Sequence, residues 1–91
     1  MARADDTLAA CDKAIELKPD LAVGWFNRAC VRCNLGQSKG TILDDLRRAI
    51  EFDPSCRATA REDDDFAPLH DDPDFITLTR EPEERGDSGT T

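Results

Sequence analysis

"KAIELKPD", residues 13–20, returns as "RAIEFDPS", residues 48–55, and the fold turns on that recurrence. At a separation of 35 residues, Leu8 falls on Leu43, Ala14 on Ala49, Ile15 on Ile50, Glu16 on Glu51 and Pro19 on Pro54. A fixed period of this length marks a helical-hairpin solenoid, in which each unit buries its apolar face against its neighbour. The expected fold class is therefore all-α.

The segments flanking the repeat read as helices. Ile42, Leu43, Leu46, Ala49 and Ile50 follow the i, i+3, i+4, i+7 pattern of one apolar face, which predicts a helix over 41–52. Asp44, Asp45, Arg47, Arg48 and Glu51 are expected on its solvent side. Over 21–35, Ala22, Trp25, Phe26, Ala29, Cys30 and Cys33 form a second stripe, which Gly36 should end in the left-handed region. A third helix, over 5–18, carries Leu8, Cys11, Ala14, Ile15 and Leu17. Pro19 and Pro54 end the helices before them, and Asp20 and Ser55 offer oxygens to cap the next ones.

Charge divides the chain. Residues 1–61 carry ten Lys/Arg against nine Asp/Glu, whereas residues 62–91 carry two against eleven, so the net charge of −8 belongs to the C-terminal third. With no basic patch, nucleic acid is an unsuitable partner. The longest apolar run, Leu21 to Phe26, is too short to span a bilayer, and "MARADDTLAAC" has no secretory-signal pattern. The expectation is a cytoplasmic protein, without a membrane partner, whose four cysteines are thiols.

"WFNRACVRCNLG" (25–36) followed by "ILDDLRRAIEFDP" (42–54) resembles the tetratricopeptide repeat family, with Trp25, Ala29, Leu35, Gly36, Leu46, Ala49 and Pro54 on signature positions. The resemblance implies antiparallel helical hairpins in a short right-handed solenoid. Residues 5–19 would be the second helix of a preceding repeat and 20–54 a full repeat. Three positions depart from the pattern: Arg32 stands where the family prefers a large aromatic, and Thr7 and Cys11 replace the usual Ala and aromatic. "CRATAREDDDFAPLHDDPDFITL" (56–78) is similar to the acidic terminal cap of bacterial arrays. In it Asp72 would cap a helix begun by Pro73, and Phe66, Leu69, Phe75 and Leu78 would lie against the helix at 41–52. The domain is expected over 1–79, with 55–79 as cap and 80–91 as a disordered acidic tail.

Chemistry-bearing residues are few. Cys30 and Cys33 share a helical face but lie mid-helix, away from the helix N-terminus that activates a redox Cys-x-x-Cys. Zinc needs four ligands, which only Cys11, Cys30, Cys33 and Cys56 together, or His70 with some of them, could supply. The acidic run at 62–65 lacks the alternation and central Gly of an EF-hand loop. His70 has no nucleophile placed by a motif, and no Gly-rich phosphate loop occurs. We therefore expect no enzyme, no metal and no cofactor.

The resemblance instead implies a protein or peptide partner on a concave face lined by Val23, Phe26, Asn27, Cys30, Cys33 and Asn34, with Arg28 and Arg32 in reach of an acidic group. Phe26 and Cys30 stand where members that clamp a terminal carboxylate carry Lys and Asn, which speaks against such a clamp. Phe26 is the expected apolar anchor. Leu8, Cys11 and Ile15 would form an open N-terminal edge suited to self-association, as a homo-oligomer or with a larger assembly. The alternatives are a thiol- or zinc-dependent regulator built on the four cysteines, and an acidic inhibitor that covers a basic surface with residues 62–74.

Overall fold

The apolar period of the sequence becomes three long helices in the computed structural model, which describes residues 4–80. They are α1 (Ala4–Leu17), α2 (Ala22–Asn34) and α3 (Lys39–Phe52). Two short helices follow, α4 (Cys56–Glu62) and α5 (Pro73–Thr79), separated by a 3-10 helix at Asp64–Leu69. The described residues contain helices and turns only, an all-α array of helical hairpins. No helix among them is long and apolar enough to cross a membrane.

α2 is the central element. It packs most extensively on α3, then on α1, then on the 3-10 helix. Ala29, Leu46 and Ala49 have no exposed surface, so α2 and α3 meet through small residues around one large one. A Cβ added to Gly24 would stand 3.2 Å from Ile15 Cγ1, which is why a glycine suits the approach of α1 to α2. α4 and α5 pack on each other and on α3.

The α2 terminus stops as expected. Gly36 has φ 74°, Gln37 N–H donates to Arg32 C=O and Gly36 N–H to Cys33 C=O, both at 3.0 Å, a Schellman closure. Trp25 Nε1–H donates to Pro19 C=O at 2.8 Å and fastens the turn between α1 and α2.

The helix starts differ from expectation. Leu21, not Asp20, is the N-cap of α2 and gives no side-chain cap; Leu21 N–H and Gly24 N–H instead close backbone turns on Lys18 and Leu21. Ser55 precedes α4 but does not cap it, because its hydroxyl donates to Asp53 Oδ1 at 2.7 Å. Asp53 also accepts from Ser55 N–H at 3.1 Å and so organises that turn. α3 begins at Lys39, two residues before the expected start, which draws Lys39 and Gly40 into the first helical turn.

Asp72 caps α5 as expected, accepting from Asp74 N–H at 2.8 Å and Phe75 N–H at 3.3 Å, with Pro73 at the first helical position. Lys39 Nζ lies 3.1 Å from Asp72 and 2.9 Å from Asp74, which ties the start of α3 to the start of α5. Desolvation raises the Asp72 carboxyl, but Lys39 and the two backbone N–H groups outweigh it and hold its pKa below the ordinary 3.8. A depressed folded pKa contributes stability that is complete above the unfolded value and is lost as pH falls through the folded one. Wild type should therefore melt above Asp72→Asn at neutral pH, with the gap closing as pH drops below 3.8. Paired melts across that range check it; a gap that stays constant would remove this account of the α3–α5 tie.

One expectation about packing is corrected. The apolar residues after α4 do not form one face against α3. Phe66, with no exposed surface, returns to α2 and meets Phe26 edge to face at 5.6 Å and 79°, while α5 alone of the two later elements lies on α3. Phe66 also contacts Phe75 at 5.7 Å, so the two packings share one ring.

Candidate interaction groove

A groove of about 420 Å³ runs between α1, α2 and the start of the 3-10 helix. Its α2 wall carries Val23, Phe26, Asn27, Cys30 and Asn34 at the spacing of one helical face. Cys11 and Ala14 supply the α1 wall, and Asp63 and Asp65 close the third side. Val23 is 52% exposed and Asn27 is exposed, so an apolar side chain and a free amide both face the opening.

Five of the eight expected partner residues thus share one groove. Phe26 is not the exposed anchor expected, since Phe66 covers its ring and leaves it 9% exposed. It belongs to the floor. Cys33 is buried in the core with Ala29 and Leu46 and does not line the groove.

Arg28 and Arg32 lie on a different face, with Trp25, around a carboxylate that the sequence pattern places in solvent. Asp45 is only 2% exposed. Arg28 holds it with two hydrogen bonds, Nε to Oδ2 at 3.0 Å and Nη2 to Oδ1 at 2.9 Å. Arg32 Nη1 adds a third at 2.9 Å, and Arg28 Nη1 reaches back to Asp12 of α1 at 2.8 Å. Hydrogen bonding to Asp45 raises the Arg28 pKa against desolvation, with Asp12 adding to it. The Arg28 guanidinium lies 5.0 Å from the centre of the Trp25 ring. Arg32 therefore stands on the hairpin contact, where it receives a buried acid from α3 rather than a ligand.

Of the expected self-association edge, Cys11 and Ile15 are buried, at 7% and 9% exposure, and only Leu8 keeps partial exposure. They are covered because α1 turns this stripe onto α2, where Ile15 meets Gly24 and Cys11 reaches the groove.

The four-cysteine metal set does not assemble. Among the described residues, the group of at least three metal-ligating side chains with ligand atoms within 4.8 Å of one another is Cys30, Asp63 and Asp65. That is one short of a tetrahedral structural site, and it mixes a soft thiol with hard carboxylates. All four cysteines are free and buried. Burial raises the pKa of each thiol; Asp63 and Asp65 add to it for Cys30, Asp65 for Cys33, Asp53 for Cys56, and Asp12 is the next contributor for Cys11. Such thiols are poor nucleophiles. We expect a disulfide reagent at pH 8 to react slowly with the native protein and with all four thiols once denaturant is added. Rapid native-state reaction at Cys30 or Cys33 would restore the redox reading.

Asp63 and Asp65 were missed as groove residues. Their run "EDDD" reads as helix capping and a solvated face, and Asp63 does cap, accepting from Asp65 N–H at 2.9 Å. The only local signal for their second position is the Phe66 that follows, whose burial on α2 draws both carboxylates to the groove.

Residues 10–42 match the family model of the tetratricopeptide repeat. The matched span runs from the middle of α1 through all of α2 into α3. No curated protein and no solved structure matches the chain.

Proposed function

Because the chain carries a tetratricopeptide repeat over residues 10–42, a protein-interaction motif, we propose that it is a non-catalytic module that holds a partner peptide or helix in the α1–α2 groove. It would act as an adaptor or as a subunit of a larger assembly. The observation that carries this reading is the convergence of Val23, Phe26, Asn27, Cys30 and Asn34 on one concavity. An apolar floor contributes affinity by excluding water, and the exposed Asn27 amide can both donate to and accept from a partner's backbone. Self-association through α1 receives less support, because Cys11 and Ile15 are already covered.

The test is a selection of random linear peptides displayed on phage, made on the wild-type protein and repeated on Val23→Trp. Val23 is half exposed, so a tryptophan there fills the groove mouth without entering the core, and circular dichroism verifies the fold. Selected peptides should bind Val23→Trp at least about tenfold more weakly, the scale of one lost apolar anchor. Equal binding to both proteins would contradict the groove reading.

A further inference from the structure

We propose that the groove selects a basic partner segment, seating a Lys or Arg against Asp63 and Asp65 while a neighbouring apolar side chain packs on Val23 and the Phe26 floor. This rests on the groove reading above and adds the partner's chemistry to it.

The two carboxylates are held in place. Asp63 Oδ1 accepts from Asp65 N–H at 2.9 Å, and Asp65 Oδ1 accepts from Asn34 Nδ2 at 3.2 Å. Each therefore keeps acceptor capacity for a cation. Neither is ion-paired with a Lys or Arg among the described residues, whereas Asp12, Asp45, Asp72 and Asp74 all are. Among the described residues, no Lys or Arg lines the groove.

Two partly buried like charges within 4.8 Å of each other raise the energy of the empty groove. An ammonium or guanidinium placed between them relieves that repulsion and forms charge-assisted hydrogen bonds. Their negative field is already felt by a neighbour, since both raise the Cys30 thiol pKa further above the effect of burial. The geometry also has a specificity consequence. A partner carboxylate would approach Asp63 and Asp65 with no described basic side chain in the groove to neutralise it, and like-charge juxtaposition excludes acidic segments. The net charge of −8 adds long-range attraction for a cationic partner.

The probe is the selected peptide pool itself, from a library in which basic and acidic residues are equally represented. We expect the peptides that depend on Val23 to be enriched in Lys and Arg. Their affinity should fall about 10- to 100-fold in the Asp63→Asn/Asp65→Asn double variant, the range for hydrogen bonds to a charged group. Asparagine keeps the shape and the capping oxygen, so folding should survive. Should the variant fail to fold, the wild type still decides the matter, because binding of the basic peptides must weaken as ionic strength rises. Val23-dependent peptides that are acidic or neutral, or indifferent to salt and to the Asn pair, would overturn this inference and leave the groove reading intact. Peptides that bind without Val23 would overturn both.

Discussion

Asp45→Ala should be among the most damaging single substitutions in the chain, at about 3–5 kcal/mol. The carboxylate is 2% exposed and accepts three hydrogen bonds from Arg28 and Arg32. Their side chains are themselves only 17% and 22% exposed. Removing Asp45 leaves the Arg28 guanidinium with only the half-exposed Asp12 and the Arg32 guanidinium with no ion-pair partner among the described residues, a desolvation cost that water can relieve only by opening the hairpin. In a domain of this size the loss corresponds to a melting temperature lower by about 12 °C or more. Asp44, one residue earlier, is the control: its ion pair with Arg47 is largely exposed, at 74% and 54%, so Asp44→Ala should cost no more than about 1 kcal/mol. Replacing all three members at once by apolar residues should recover much of the loss, because the penalty lies in the unpaired charges. Thermal melts of the three variants decide the point, and equal melting of Asp44→Ala and Asp45→Ala would sink it.

Phe66→Ala should have an effect of similar size, about 3–5 kcal/mol, by a different mechanism. The ring is wholly buried and touches Phe26 on one side and Phe75 on the other. Its loss opens a cavity that a fixed α2 and a capped α5 cannot close, and it releases the tether that brings Asp63 and Asp65 to the groove. Amide exchange should therefore quicken in α5 and the 3-10 helix more than in the α2–α3 contact. Phe66→Leu, which keeps most of the volume, should retain most of the protection. Uniform loss of protection in all helices would show instead that the C-terminal elements are not separately tethered.

What the sequence disclosed and what it hid follow from the range of the forces involved. Local signals survived: the 3.6-residue stripes of α2 and α3, Gly36 at the α2 terminus and Asp72 with Pro73 at the start of α5 all rest on neighbours within a few residues. The polar residues of α3 did not divide correctly. Asp44 and Asp45 are adjacent in sequence but about 100° apart around the helix, and only the presence of Arg28 and Arg32 on another helix makes Asp45 a buried residue. The i, i+4 spacing of the two arginines was the available clue, since it stacks them on one face. Phe26 was legible as important and illegible as buried, because the ring that covers it lies 40 positions further on. For the same reason the acidic wall of the groove is a long-range product, set by where Phe66 packs.

The most direct test of the account is to follow the backbone amide resonances of the protein while titrating in a peptide selected on it. Shifts should concentrate at Val23, Asn27, Asn34, Asp63 and Asp65, with α1 residues Cys11 and Ala14 following. Shifts centred instead on Trp25, Arg28 and Arg48, which line a different concavity, would contradict the groove reading.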